Sequence, residues 1–356
     1  MTRTKTFVPP SLEEAGQLYE VAARMKELAP WKWMDETEIF GVQYPETNKL
    51  GFVSLMGMAG EHFAVSVYQG AEGLYGIQGF ASQVEAGTAN PEELLDIPQL
   101  QASFENRDQL DRQDREVIKK LGLKFRGAYA WPMFRSYRPG YMPWFVTAEE
   151  ALHLTHALSQ TLEVAPRVKD DPELLSADGD EAGESYLVRV ARRQGDSLVW
   201  EDQMMRVPPP EPALISVALD FEVVDQLKEL PQSPLKLEID LFSLPTGIGG
   251  KGVRPSRPYL LMMADGQSGM IIASEMMTIE DSLTEMHGRV PMLLATRLAG
   301  AGAMPAEIIV RPGLLAGLLN PLANLLNIRL READQLPGID AAVDSMFSWM
   351  MIGGEL

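Results

Sequence analysis

The order of secondary-structure patterns in residues 234–351 restricts the fold of this chain more than any other feature. Three strand patterns come first, followed by a helical stretch, a strand, a helix, a strand and a final helix. Residues 234–243 alternate strictly between apolar and polar side chains, which is typical of a strand with two different faces. Residues 306–310 form a continuous apolar run, which indicates a strand covered on both faces. The order βββαβαβα predicts an α/β domain built on a mixed five-stranded sheet.

This element order resembles that of the RNase H-like superfamily, closest to the cores of retroviral integrases and transposases. The matching strands are carried by residues 257–265, 304–310 and 325–330. The resemblance implies an RNase H-like C-terminal domain. In active relatives, an aspartate of the first strand, an aspartate of the fourth strand and an acidic residue of the last helix bind two metal ions.

The acidic triad of that superfamily is incomplete in this sequence. Asp240 matches the first aspartate, but Arg311 stands at the second position, where its cation would oppose metal binding. Asp340 and Asp344 lie one turn apart and approximate the third acid. If the domain were active, Glu238, Asp240 and Asp344 would be its catalytic residues and Mg²⁺ its cofactor. We favour no catalytic residue, no metal and no cofactor, with Asp240 on a solvated strand face.

The residues before a proline-rich segment predict a separate α+β domain with an antiparallel sheet. Ser11 and Thr147 are each followed three residues later by glutamate, a capping-box pattern that predicts the start of a helix. Strand patterns separated by turn-forming residues lie between the two predicted helices. Three consecutive prolines stiffen the chain after Val207. We therefore expect an N-terminal domain at 1–207, a linker at 208–212 and a C-terminal domain at 213–356.

Over its whole length the sequence also resembles an uncharacterised family of bacterial two-module proteins. The resemblance rests on residues 30–35, 125–132 and 138–144. No activity attaches to that family, so the resemblance implies an unknown function and carries over no catalytic residue.

Residues 124–144 contain the best candidates for ligand binding, because cations alternate there with aromatic rings. Stacking rings beside cations can bind single-stranded nucleic acid, anionic sugars or peptides. The alternative, which we favour, is a core strand with aromatic side chains buried for packing. The candidate ligand-binding residues are Arg126, Trp131, Arg135, Tyr137, Arg138 and Trp144.

Glu149, His153 and His156 are spaced so that they could share one face of a helix and ligate zinc. A zinc site needs three or four convergent ligands, and no fourth ligand is evident. We therefore expect these three residues to form an ordinary polar surface.

Composition excludes several classes of function. The formal net charge of −19 disfavours nucleic acid as a partner. The absence of cysteine excludes disulfides and thiolate sites, and it fits a cytoplasmic location. No apolar run approaches the ~20 residues needed to cross a membrane. The partner remains unknown, and a protein is one candidate.

These patterns favour a non-catalytic binding, regulatory or scaffold protein with a degenerate RNase H-like domain, and they weigh against an enzyme. Two alternatives remain open. One is a metal-dependent nuclease of the RNase H-like type, and the other is a binder of single-stranded nucleic acid or carbohydrate through residues 124–144.

Overall fold

The computed structural model describes residues 7–176, 184–195 and 197–353. Within these residues the chain divides into two compact units. The N-terminal unit extends to Glu211, and the C-terminal unit comprises the residues from Pro212 on, apart from Gly252–Arg254. Each unit combines helices with one sheet, so the predicted mixture of α and β structure is confirmed.

The N-terminal unit is built on a seven-stranded sheet with strand order β5-β4-β3-β2-β1-β6-β7. Its elements are α1 (Leu12–Leu28), β1 (Phe40–Gln43), β2 (Leu50–Met56), β3 (Phe63–Gln69), α2 (Gly70–Ala86), β4 (Gln99–Glu105), α3 (Arg112–Lys120), β5 (Trp131–Tyr137), α4 (Ala148–Asp170), β6 (Ser185–Gln194) and β7 (Ser197–Arg206). Neighbouring strands are antiparallel except β1 and β6, which are parallel. The sheet is therefore not purely antiparallel as predicted, because a long crossover that includes α4 returns the chain to β1.

Two capping boxes begin the helices that cover one face of this sheet. The Ser11 hydroxyl accepts a hydrogen bond from the Glu14 amide at 3.2 Å, and the Ser11 amide donates to the Glu14 carboxylate at 2.7 Å. Thr147 and Glu150 form the same pair of bonds at the start of α4. The apolar sides of α1 and α4 pack against each other and against the sheet. Both helix starts were predicted correctly because the signal is local.

The C-terminal unit contains a five-stranded sheet with strand order β10-β9-β8-β11-β12. Its elements are α5 (Phe221–Lys228), β8 (Gln232–Ser243), β9 (Tyr259–Asp265), β10 (Ile271–Met277), α6 (Leu283–Gly288), α7 (Val290–Ala301), β11 (Met304–Val310), α8 (Leu314–Leu326), β12 (Arg329–Glu332) and α9 (Pro337–Gly353). The central strand β8 is antiparallel to β9 and parallel to β11. β10 is antiparallel to β9, and β12 is parallel to β11.

Both faces of β8 are covered. Leu237 and Ile239, on one face, are 1% and 0% exposed. Glu238 and Asp240, on the other face, are also buried, at 3% and 9% exposed. The last helix, α9, lies on this second face, where Ile339 belongs to an apolar cluster with side chains of β9 and β11. The expectation that Asp240 lies on a solvated face is therefore wrong.

The helices of the described residues are all too short or too polar to span a lipid bilayer.

Candidate functional site

The C-terminal unit brings Asp240, Arg311 and Asp340 together at one end of its sheet. Asp240 lies on β8, Arg311 directly follows β11, and Asp340 lies in the first turn of α9. The Arg311 Nε donates to Asp240 Oδ2 at 2.9 Å, and one of its terminal nitrogens pairs with Asp340 Oδ1. The other terminal nitrogen donates to the Asp334 carbonyl oxygen at 2.5 Å. The guanidinium therefore bridges the sheet and the last helix.

Glu238 lies two residues before Asp240 and has a different role. Its Oε2 accepts hydrogen bonds from the backbone amides of Gly338, at 2.9 Å, and Ile339, at 3.2 Å. These amides are in the first turn of α9, where they have no partner within the helix. A carboxylate at this end also interacts favourably with the helix dipole. Glu238 thus holds the start of α9 on the sheet, and its carboxylate is occupied by these two hydrogen bonds.

The third acid of the predicted set, Asp344, does not join this cluster. It is exposed, one turn after Asp340 in α9. Among the described residues, no group of three or more histidine, aspartate or glutamate side chains is arranged to hold a metal ion. Asp240 and Asp340 are the two carboxylates that converge, and Arg311 lies between them.

The electrostatics of this cluster follow from its partial burial. Burial works to lower the pKa of Arg311, but the hydrogen bonds and charges of Asp240 and Asp340 outweigh it and raise the pKa. The guanidinium stays protonated at all physiological pH values. A divalent cation at this position would have to compete with a permanent positive charge. The arrangement is an ion-pair network that links β8, β11 and α9.

Residues 124–144 contain β5, which is one of the two edge strands of the N-terminal sheet. Trp131, Tyr137 and Trp144 are each partly buried. The backbone of Trp144 pairs with Ser136 through two hydrogen bonds of 2.8 and 3.0 Å and thereby protects the outer edge of β5. The Tyr137 hydroxyl donates to Gln101 Oε1 at 3.2 Å, and burial raises the pKa of this tyrosine. These rings take part in the fold and keep part of their surface accessible.

Arg135 is buried and paired within the fold. Its guanidinium pairs with Asp111 at 2.8 Å and with Asp114 at 2.7 Å, and it lies 4.7 Å from the ring centroid of Phe145. Burial works to lower its pKa, but the hydrogen bonds and charges of the two aspartates raise it. Arg135 thus connects β5 to the start of α3.

The two remaining cations of the candidate set are more accessible. Arg138 pairs with Glu150 at 2.7 Å, and Glu150 also accepts from the Ser136 hydroxyl at 2.8 Å. Arg126 is exposed and belongs to no ion pair in the described part of the chain. Sequence reasoning missed Asp111 and Asp114 as partners of Arg135. Their capping-box pattern at the start of α3 is a signal that could have drawn attention to them.

His153 lies in the interior of the N-terminal unit, so the expectation of an ordinary polar surface is wrong for this residue. It is 5% exposed, and its ring stacks on that of Tyr44 at a centroid distance of 3.9 Å. Burial lowers the pKa of His153. His156 pairs with Glu46 at 3.0 Å instead of sharing a ligand with His153. The packing of the helix against β1 places His153 inside, which its spacing alone did not indicate.

The described residues define a two-module α/β protein with an ion-paired acidic cluster in its second module. Residues 16–189 match the domain of unknown function DUF7309, and residues 223–347 match the domain of unknown function DUF6930. Both matched domains are of unknown function, which is consistent with an uncharacterised two-module family. No curated protein matches the chain.

Proposed function

We propose that this chain is a non-catalytic binding or scaffold protein whose C-terminal module is an RNase H-like domain without a metal site. The observation that carries the proposal is the position of Arg311. Its guanidinium pairs with both converging carboxylates, Asp240 and Asp340.

The strand arrangement supports an RNase H-like relationship. The central strand β8 has the antiparallel hairpin partners β9 and β10 on one side and the parallel strands β11 and β12 on the other. A helix follows β11, and the last helix α9 follows β12. This is the order that the sequence resemblance implies. Because one fold hosts many functions, the chemistry has to be argued from the site.

Two-metal hydrolysis requires carboxylates that hold two cations about 3.5–4 Å apart. At the corresponding sheet end, Arg311 bridges the one converging carboxylate pair, and Glu238 binds the amides of α9. The protein would have to break these contacts before it could bind two metal ions. The geometry therefore favours a structural role for the acids.

The proposal is tested by assaying hydrolysis of single-stranded and double-stranded DNA and RNA with Mg²⁺ or Mn²⁺. We expect no metal-dependent hydrolysis by the natural chain. Hydrolysis that requires the metal and disappears in Asp240→Asn would overturn the proposal and favour the nuclease alternative.

A gain-of-function variant makes the role of Arg311 measurable. Arg311→Asp places a third carboxylate beside Asp240 and Asp340, and we expect Mn²⁺ to raise the melting temperature of this variant but not that of the natural chain. Arg126→Asp is the control, because Arg126 is exposed and belongs to no ion pair in the described part of the chain. Equal responses of the two variants would show that Arg311 does not occupy a latent cation site.

Binding through residues 124–144 is a second candidate function, favoured by the partial exposure of Trp131, Tyr137 and Trp144. The net charge of −19 favours a carbohydrate over a nucleic acid. We expect quenching of tryptophan fluorescence by an oligosaccharide that is lost in Trp131→Ala but kept in Trp349→Ala, since Trp349 is an exposed tryptophan of α9. Equal loss in both variants would contradict a site at this segment.

A further inference from the structure

Arg254 is a partly buried arginine that lies against the segment 124–144 without a carboxylate partner. It belongs to the N-terminal unit. One terminal nitrogen of its guanidinium donates to the carbonyl oxygen of Ser136 at 2.9 Å. No aspartate or glutamate of the described residues forms an ion pair with it. A carbonyl oxygen satisfies a donor but does not neutralise a cation, and a buried charge is usually paired.

Glu150 is the carboxylate that acts on Arg254, but its oxygens are already occupied. Its Oε1 accepts from Arg138 at 2.7 Å and from the Ser136 hydroxyl at 2.8 Å. Its Oε2 accepts from the Thr147 amide at 2.8 Å. Two guanidinium groups therefore share the charge of one carboxylate, and this cluster carries one surplus positive charge.

The electrostatics of Arg254 reflect this imbalance. Burial lowers the pKa of Arg254 to about 10, and the charge of Arg138 lowers it further, while Glu150 and Tyr141 work to raise it. Asp96, which lies near the same segment, accepts a hydrogen bond from a backbone amide at 2.6 Å and is not among these charges. The guanidinium is protonated at neutral pH, because its pKa remains well above 7. An unmatched cation therefore persists in a chain whose net charge is −19.

We propose that Arg254 and Arg138 bind the single carboxylate of an acidic sugar. The inference rests on the second candidate function, carbohydrate binding through residues 124–144, and names the class of sugar. A guanidinium has five N–H donors in a fork that matches a carboxylate, and Arg254 uses one of them within the fold. One surplus charge matches one carboxylate, whereas the net charge of −19 repels a polyanion.

The rings next to this cluster favour a sugar over a free inorganic anion. Trp144 pairs with Ser136 through two backbone hydrogen bonds, so it lies beside the residue that binds Arg254. Tyr137 follows Ser136 in β5, and both rings keep part of their surface accessible. Aromatic rings beside cations provide an apolar face and a charged contact for the same ligand.

Calorimetric titration of the full chain with two matched disaccharides tests the proposal. Cellobiouronic acid carries a carboxylate where cellobiose carries a CH₂OH group. We expect the natural chain to bind the acid about 10-fold more tightly, which is the contribution of a hydrogen bond between charged groups. Arg254→Met should lose this preference and keep its affinity for cellobiose, which also shows that the variant is folded. Lys251→Met, which removes an exposed cation three residues earlier, is the matched control and should keep the preference.

Glu150→Gln tests the surplus charge in the opposite direction. The substitution removes the one carboxylate that the two arginines share, and glutamine is also suited to the capping box at the start of α4. We expect this variant to bind cellobiouronic acid more tightly than the natural chain does, with no change for cellobiose. A purely structural role of Arg254 predicts no such gain, so an unchanged or weaker affinity for the acid would contradict the site.

The failure of this inference is distinct from the failure of carbohydrate binding. Equal affinities of the natural chain for the two disaccharides would overturn the carboxylate site and leave carbohydrate binding in place. Binding of neither disaccharide would remove both. Tighter binding of N-acetyl-dialanine, which has one carboxylate and no sugar, would overturn the acidic sugar as the ligand.

Discussion

The two modules each contain an arginine that pairs with two aspartates, but the two clusters differ in burial. The side chain of Arg135 is 9% exposed and that of its partner Asp114 is 7% exposed. The side chain of Arg311 is 38% exposed, and those of its partners Asp240 and Asp340 are 12% and 39% exposed. A buried charge loses its interaction with water. The stability of the fold therefore depends more strongly on the ion-pair partner of a buried charge than on that of an exposed one. The same chemical motif should therefore contribute more to the stability of the first module than to that of the second.

Arg135→Met should have the largest effect on stability. The substitution leaves the buried carboxylate of Asp114 without its cation, which costs about 3–5 kcal/mol. Urea unfolding followed by circular dichroism measures the loss. The matched control is Arg138→Met on the same segment, which should cost about 1 kcal/mol or less, because Arg138 is 48% exposed and Glu150 keeps the Ser136 hydroxyl and the Thr147 amide as donors. Equal losses in the two variants would show that burial does not distinguish the clusters.

Glu238→Ala should have the next largest effect, with a loss of about 2 kcal/mol. The substitution leaves two buried amides at the start of α9 without an acceptor. Glu238→Gln keeps an oxygen acceptor and should lose less. The C-terminal module would then be held together at this sheet end more by Glu238 than by Arg311. Equal unfolding midpoints of the two Glu238 variants would contradict an acceptor role.

Arg311→Met should cost about 1–2 kcal/mol, less than Arg135→Met, because Arg311 and Asp340 are partly exposed to water although Asp240 is buried. The contribution should shrink in 1 M NaCl, where the screening length falls to ~3 Å, whereas the loss in Arg135→Met should change little. Unfolding curves at low and high salt measure both differences. A salt-independent Arg311→Met loss would place this cluster in the same class as the buried one.

His153 is also a buried polar side chain, but unlike the buried Arg135 it is favoured in its neutral form by burial. Burial lowers the pKa of His153, although Glu149 and Glu46 work to raise it, and His156 and Lys49 lower it further. Because the folded pKa lies below the unfolded value of about 6.5, protonation favours unfolding. The stabilising contribution is therefore present near pH 7.5 and is lost as the pH falls towards 5.

His153→Phe should reduce this acid-induced loss of stability, and His62→Gln should not, since His62 is exposed. Urea unfolding at pH 7.5 and pH 5 measures the effect. If His153→Phe loses as much stability between the two pH values as the natural chain, the acid sensitivity arises elsewhere.

The parts of the fold that could be predicted are those with local signals. Ser11 with Glu14 and Thr147 with Glu150 begin helices because the partners lie three residues apart. The alternation in residues 234–243 predicts β8 because successive side chains of a strand point to opposite faces. The start of α3 is less clear from the sequence, because Asp108 and Asp111 are both suitable cap residues and the structure uses Asp111.

The composition of the candidate sites required contacts between residues far apart in the sequence. Arg311 was recognised as a misfit in an acidic triad, but Asp340, and not Asp344, is its partner, because the packing of α9 presents the first turn to β11. The burial of Arg135 depends on where α3 docks against β5, which is not encoded in residues 124–144.

The sequence alone determined the order of the elements, the two-module organisation and the absence of a second aspartate beside Asp240. These properties follow from periodicity, capping and residue identity along a short stretch of chain. Only the tertiary structure decided that Glu238 holds the start of α9 and that Arg311 joins Asp240 to Asp340. The reason is physical: hydrogen bonds, ion pairs and burial depend on distances in space, and residues 100 positions apart in the sequence, such as Glu238 and Gly338, become neighbours only on folding.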